Sequence, residues 1–203
     1  MSIDTIMLIC LFAVSMIGSP GPANMALMAA GARYGYRKSV PFILGTNSGF
    51  FLVGVGVAAG LGTLFELFPA MRITFLFLSA AYILYLAYKI AFQAPKTGNE
   101  EAKAGYWSGI FIHPLNPKAW AMLITAYTQF SSQDLDPIYQ FIIIQSIFQT
   151  LGLILNSMWC YGGDLLNRLV SSPVTLQWIN RGLATLMIVI VAISVWQSGL
   201  LTL

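Results

Sequence analysis

The chain has 203 residues, of which 58% are hydrophobic and only 8% charged, and its formal net charge is +3. Soluble domains carry about 25% charged residues, so this chain cannot cover a globular surface with solvated groups. The composition argues against a soluble enzyme, a secreted disulfide scaffold and a nucleic-acid-binding protein. Charge-free runs at 5–32, 39–65, 137–163 and 182–203 can each cross a hydrocarbon core, which needs about 20 residues. The sequence therefore predicts an integral membrane protein embedded in the lipid bilayer.

The N-terminal apolar segment is predicted to be a membrane span and not a cleavable signal peptide. It carries Asp4 in place of a basic residue, and it continues well beyond the apolar region of a signal. Residues 73–88 and 104–133 add two less obvious spans, the second containing the single charge of Lys118. The predicted spans are therefore about 5–32, 39–64, 69–92, 105–131, 137–163 and 176–200.

Basic residues between the spans predict the orientation in the membrane. Placing both termini outside puts most basic residues in the inner connections: Arg33, Arg37, Lys38, Lys89, Lys96, Lys103, Arg168 and Arg181. The outer connections then hold Arg72 with Glu66, Asp134 and Asp136. Basic residues accumulate in cytoplasmic loops, so both termini are predicted to be periplasmic or extracellular and the polar segment 93–104 to be a cytoplasmic linker.

The predicted spans divide into two groups of three, with 1–92 as the first repeat and 105–203 as the second. An odd number of spans in each repeat gives the two repeats opposite orientations, as in many secondary transporters. Two proline-rich interruptions support this plan, Ser-Pro-Gly-Pro-Ala-Asn at 19–24 and His-Pro-Leu-Asn-Pro-Lys at 113–118. Each lies near the middle of the first span of its repeat. The predicted fold is therefore an all-α 3+3 inverted repeat in which helices 1 and 4 are broken.

Broken helices at matched positions indicate a transport site near the membrane midplane. Proline interrupts a helix, and a cap-competent residue followed by proline restarts one. The new helix presents the positive end of its dipole, to which a carboxylate can bind. The alternative is that these prolines only kink the helices. The candidate substrate-binding residues are Pro20, Gly21, Pro22, Ala23, Asn24, Asn47, Asn116, Pro117 and Lys118.

Lys118 is a cation in the middle of a predicted span. Such a residue costs about 2.5–3.5 kcal/mol to insert and usually faces a cavity or a partner. We expect Lys118 to bind a carboxylate or to act as a counter-charge, the alternative being that it extends to an interface. His113 can titrate near neutral pH, so His113 and Lys118 are the candidates for ion coupling.

Polar residues and glycines in the remaining spans allow more than one interpretation. Asn47 and Asn156 could line a cavity, and Asp164 is expected at an interface beside Arg168. The glycines of the second span, including Gly45 and Gly49, favour close helix packing, either within the chain or in a homo-oligomer. The two cysteines are isolated in apolar segments and are expected to be buried free thiols.

The residues at 19–24, the Gly-Ala-Arg-Tyr-Gly-Tyr-Arg-Lys stretch at 31–38, the glycine-rich second span and Asn-Pro-Lys-Ala at 116–119 resemble the LysE/RhtB family of amino-acid exporters. The resemblance extends over the whole chain. It implies a bacterial inner-membrane protein that expels amino acids or related metabolites with the energy of ion gradients.

The favoured hypothesis is a secondary exporter of a neutral amino acid that works by alternating access. The central charge is positive, which makes a basic substrate less suitable. The alternatives are export of another small metabolite or a metal cation, and a non-transport membrane subunit or a membrane-embedded enzyme. The chain lacks a Walker A motif, and the sequence predicts no enzyme activity, no cofactor and no metal site.

Overall fold

The structure is a computed structural model that describes residues 1–92, 105–132, 134–170 and 172–197. These residues form only helices, and the predicted linker 93–104 and the last six residues lie outside them. The helices are α1 (Ile3–Gly18), α2 (Pro22–Tyr34), α3 (Tyr36–Ala58), α4 (Leu61–Leu67), α5 (Pro69–Phe92), α6 (Tyr106–Ile110), α7 (Pro117–Phe130), α8 (Pro137–Leu169) and α9 (Pro173–Gln197).

Four of the described helices are long and apolar enough to cross a membrane: α3, α5, α8 and α9. The pair α1 and α2, bent by 60°, can form a fifth, broken span. The predicted span 105–131 is divided between α6, with 5 residues, and α7, with 14. Helix α7 is about 21 Å long, which is less than the thickness of a hydrocarbon core of about 30 Å. The all-α membrane fold is confirmed, and the six-span inverted repeat stays a prediction.

Two predicted span boundaries were wrong. The second span was expected to continue to residue 64, but α3 ends at Ala58 and a separate short helix follows. The chain turns at Gly60, whose φ of 85° lies in the left-handed region that glycine adopts without steric cost. The fifth span was expected to end at residue 163, but α8 continues to Leu169.

Helix α8 packs against α1, α2 and α3, and its contact with α2 is the most extensive in the described structure. Glycine makes this contact possible. A Cβ atom at Gly31 of α2 would overlap the carbonyl oxygen of Cys160, and one at Gly163 of α8 would overlap that of Met28. The two backbones therefore touch directly, which is how helices associate closely in a membrane.

A second contact of the same kind joins α3 to α6. A Cβ atom at Gly45 would overlap the carbonyl oxygen of Tyr106, and one at Gly109 would overlap that of Phe42. Gly45 and Gly49 of the predicted second span therefore serve packing within the chain. They hold the short helix α6 against α3 and so position the turn that follows it.

Asp164 connects α8 to the turn between α2 and α3. Its carboxylate is buried and accepts hydrogen bonds from the Tyr36 backbone N–H and from Arg168, the latter at 2.7 Å. Gly35, with a φ of 77°, forms the turn beside it. The expected proximity of Asp164 and Arg168 is correct, although the acid is buried and only the arginine is exposed.

The apolar core forms two clusters, and the junction of the broken helices lies between them. One cluster includes Ala23 and Met25 of α2 together with Cys160 of α8. The other includes Ile17 of α1, Phe50 of α3 and Met122 of α7, among others. Cys160 is a buried free thiol, whereas Cys10 is partly exposed. The two clusters position the ends of the broken helices.

Candidate functional site

The first break separates α1 from α2 at residues 19–21. Helix α1 ends at Gly18, and Pro20 cannot continue it because proline has no backbone N–H. Gly21 then precedes Pro22, the first residue of α2. Proline is favoured at that position because its fixed φ suits a helix start. The interruption predicted from the sequence is therefore a true break with a change of direction.

Asn24, in the first turn of α2, stabilises this break through hydrogen bonds. Its side chain is buried, and its Nδ2 donates to the carbonyl oxygens of Ile17 at 2.8 Å and Ser19 at 3.2 Å. The end of a helix leaves such carbonyls without intrahelical partners. The amide nitrogen of Asn24 therefore stabilises the bend and is already engaged with the backbone.

The second break lies between α6 and α7 and is closed by Asn116. The Asn116 Oδ1 accepts from the backbone N–H of Lys118 at 3.1 Å, and its carbonyl accepts from Ala119 at 2.9 Å. Pro117, the first residue of α7, has no N–H to satisfy. Because these first N–H groups are engaged, the start of α7 is a weaker place for a substrate carboxylate than the sequence predicts.

The side chain of Lys118 joins the two breaks. Its Nζ donates to the Ser19 carbonyl oxygen at 2.8 Å, to the Ser19 Oγ at 2.8 Å and to the Pro20 carbonyl oxygen at 3.4 Å. These contacts link residues 98 and 99 positions apart in the chain. The cation is therefore inside the protein at the junction of the broken helices.

The ammonium group of Lys118 also lies beside the first turn of α2. A Cβ atom at Gly21 would be 3.2 Å from the Lys118 Nζ, so glycine leaves room for the lysine. As the N-cap of α2, Gly21 offers no side chain to the free N–H groups of that helix. The positive end of the α2 dipole and the lysine charge converge here, which is an arrangement that binds anions.

A cavity of about 20 Å³ lies at this junction. It is lined by Met16, Ile17, Gly21, Ala23, Asn24, Phe50, His113, Asn116, Lys118, Ala119, Met122, Gly152 and Asn156. None of these described lining residues is acidic. A volume of this size admits about one water molecule. The junction must therefore widen before it can hold a molecule as large as an amino acid.

Two buried polar side chains in the cavity wall have no hydrogen-bond partner among the described residues. They are His113, at both ring nitrogens, and Asn156, at Oδ1. Their exposures are 6% and 3%. The His113 ring packs against Phe50 with centroids 5.0 Å apart. Buried polar groups are normally paired, so these two are available to a bound solute.

Most of the candidate site residues come together, with one clear exception. Gly21, Ala23, Asn24, Asn116, Lys118 and His113 line the cavity, and the prolines shape the breaks around it. Asn47 does not line it and belongs to the wall of a neighbouring cavity. Sequence reasoning missed Ser19, which supplies two of the oxygen atoms around Lys118. The signal in the sequence that could have indicated Ser19 was its position at the end of the first half-helix.

Metal binding receives no structural support in the part of the chain that is described. No group of three or more His, Cys, Asp or Glu side chains there could hold a metal ion. The cation at the junction belongs to the protein itself.

Comparison with known proteins identifies relatives over most of the chain. Residues 14–198 match the family described as LysE type translocator. A cysteine/O-acetylserine efflux protein of Klebsiella pneumoniae is 29% identical over 153 residues, which cover 74% of this chain and 78% of the relative. Proteins with the same description from Salmonella typhimurium and Escherichia coli are 28% and 26% identical, with 74% of this chain and 77% and 78% of the relatives covered. No solved structure matches. The chain belongs to the LysE type translocator family.

Proposed function

We propose that this protein is a secondary exporter of small neutral amino acids or their close derivatives across the bacterial inner membrane. The observation that carries the proposal is the position of Lys118, whose ammonium joins the two helix breaks beside the start of α2. The described wall of that cavity contains no acid to neutralise the lysine. The carboxylate of an amino acid would supply the missing negative charge.

The geometry suggests how an amino acid would be oriented. Its carboxylate would bind between the start of α2 and the Lys118 ammonium, where two sources of positive charge meet. Its ammonium would replace the Lys118 ammonium as the hydrogen-bond donor to the carbonyl oxygens of Ser19 and Pro20. Binding would therefore move Lys118 from the backbone carbonyls to the substrate carboxylate, and the junction would widen as it moved.

The side chain of the substrate would then lie near His113 and Asn156. Both are polar and buried, and the two His113 ring nitrogens and the Asn156 Oδ1 have no partner among the described residues. The relatives are named for efflux of cysteine and O-acetylserine, two solutes whose side chains are short and can hydrogen-bond. We therefore expect a short polar side chain to be exported faster than a large apolar one, because the latter would leave both groups unpaired.

Ion coupling is the second part of the proposal. His113 lies in the same cavity as Lys118, so a proton on the imidazole would repel the lysine and alter how firmly it holds the backbone carbonyls. This supports His113 as the group through which a proton gradient could act. A metal cation as substrate would meet the same repulsion from Lys118, which argues against that alternative.

The test measures which amino acids leave the cell. Cells with and without the protein are loaded with dipeptides or O-acetylserine, and the release of each free amino acid is followed in time. We expect faster release of cysteine and O-acetylserine, and slower release when the proton gradient is collapsed. Purified protein in liposomes should show the same flux. If no amino acid leaves faster while the protein is present in the membrane, the proposal is wrong.

A further inference from the structure

A second cavity of about 350 Å³ lies next to the Lys118 cavity, where Asn47 meets Gly152. We call it the vestibule. It is lined by Asn47, Ser48, Phe51, Leu52, Tyr106, Ile110 and Gln149, from α3, α6 and α8. Its volume is within the range of small-molecule pockets, about 300–1,000 Å³. The vestibule can thus hold a solute that the closed Lys118 cavity cannot.

Three segments of the chain contribute to the walls of both cavities. On α8, Gln149 lines the vestibule, while Gly152 and Asn156 line the Lys118 cavity. Residues at this spacing share one face of a helix. On α3, Phe51 lines the vestibule and the preceding Phe50 lines the Lys118 cavity. The two cavities are therefore neighbouring chambers on one face of α8.

The same succession occurs around α6. Ile110 at its end lines the vestibule, and His113 in the following turn lines the Lys118 cavity. Tyr106, at the beginning of α6, marks the other end of the vestibule. On α3 the vestibule residues at 47–52 bracket Phe50 of the Lys118 cavity, so the two chambers lie side by side at about the same depth.

Only a narrow contact separates the two chambers. A Cβ atom at Gly152 would lie 3.4 Å from the Asn47 Oδ1, so the amide of Asn47 rests against the glycine. Gln149 holds this amide in place: with its nitrogen facing Asn47, it donates to the Oδ1 at 3.1 Å, and its oxygen accepts from the Phe51 N–H at 3.0 Å. Because Gly152 has no side chain, rotation of the Asn47 amide can open a passage between the chambers without moving a helix.

The chemistry of the walls favours an aqueous chamber over a lipid groove. Asn47 is the middle residue of α3, a span of 23 residues, and Ser48 follows it. Asn47, Ser48 and Gln149 place hydroxyl and amide groups at this depth, and polar groups facing hydrocarbon are costly. Asn47 and Gln149 pair partly with each other, and water or a polar solute would satisfy the remaining groups.

We propose that the vestibule is the chamber through which the substrate reaches the Lys118 cavity, and that Asn47 and Gly152 form the gate between the two. This inference rests on the proposed export function. The vestibule holds an amino acid beside the binding site, and rotation of the Asn47 amide admits it to the Lys118 cavity. Asn47 thereby acts before the binding site and selects solutes by their size at the gate.

The first test measures whether water reaches the vestibule. Cys10 and Cys160 are replaced by alanine, and Ser48→Cys is compared with Leu44→Cys, which lies one turn earlier on α3, is 47% exposed and does not line the vestibule. A charged thiol reagent that cannot cross the membrane is applied to each face of the membrane in separate experiments. We expect Ser48→Cys to react at least about tenfold faster than Leu44→Cys, because charged reagents avoid hydrocarbon. We also expect added O-acetylserine, a substrate without a thiol, to slow the reaction of Ser48→Cys. Equal reaction rates would overturn the proposal and would mean that lipid or a second copy covers the groove.

The second test blocks the gate. Gly152→Leu is compared with Gly162→Leu on the same helix, where an added Cβ would meet no atom within 4 Å. At equal amounts in the membrane, we expect Gly152→Leu to export at least about tenfold more slowly than the wild type and Gly162→Leu to export normally. Ser48→Cys should still react in the Gly152→Leu protein, since the block lies beyond the vestibule. Normal export by Gly152→Leu would overturn the gate.

The two tests separate this inference from the proposed function. If the wild type exports no amino acid, the proposed function fails, yet the reactivity of Ser48→Cys still decides whether the vestibule contains water. If the wild type exports but Ser48→Cys is unreactive and Gly152→Leu is active, the function stands and the vestibule proposal is refuted.

Discussion

Replacing Lys118 with methionine is the most direct test of the cation at the junction. Methionine keeps a flexible apolar stem of similar length and removes the ammonium that donates to Ser19 at two distances of 2.8 Å. In the proposed mechanism this ammonium pairs with the substrate carboxylate. A hydrogen bond to a charged group contributes about 1.5–3 kcal/mol, which corresponds to about a tenfold to hundredfold loss of export at subsaturating substrate.

The assay is the initial rate of O-acetylserine release from cells that contain equal amounts of each protein in the membrane. Lys38→Met, which removes an exposed cation at the start of α3, is the matched control and should export like the wild type. The control also detects any general effect of lowering the positive charge. Wild-type export by Lys118→Met at low substrate would refute the assignment of the carboxylate to Lys118.

Three further substitutions test the packing around the site by the thermal stability of the purified protein in detergent. Gly163→Ala should destabilise the protein by about 1–3 kcal/mol because the new Cβ would overlap α2. Gly162→Ala, with open space beside it, should leave the stability unchanged. Equal melting temperatures of the two variants would contradict the close contact. Asp164→Asn should destabilise the protein more than Arg168→Ala does, because the acid is buried and the arginine exposed. The reverse order would show that burial of the side chain does not determine the loss of stability. Trp120→Phe should cost about 1 kcal/mol through its lost hydrogen bond of 2.9 Å, and no change would mean that water replaces the indole.

The positions of the breaks could be predicted from the sequence because they depend on local chemistry. Proline lacks a donor and fixes φ, so the interruptions at 19–24 and 113–118 follow from the residues themselves. Their contact could not be predicted, because Lys118 meets Ser19 only through the packing of helices far apart in the chain. For the same reason the sequence does not reveal that the side chains of Asn24 and Asn116, both predicted substrate ligands, cap helix ends.

Asn47 shows a second limit of the sequence. An amide in the middle of a span indicates a polar environment, but it does not say which side of the helix faces which cavity. Phe50 and Asn47 are nearly one turn apart on α3, yet they line different chambers. Likewise, hydropathy predicts a span over 105–131, and only the packing of α6 against α3 through Gly109 reveals a short helix and a turn in its first part.

The glycine contacts have a consequence for how the transporter could move. Helix α2 touches α8 backbone to backbone, and α3 touches α6 in the same way. Each of these pairs takes one helix from before the linker and one from after it. We expect pairs in such close contact to move as rigid blocks, because a gap of about 0.5–1 Å already forfeits about a quarter to a half of their dispersion energy. We therefore expect the moving parts to be these mixed pairs sliding or tilting against each other, and not one half of the chain rocking against the other.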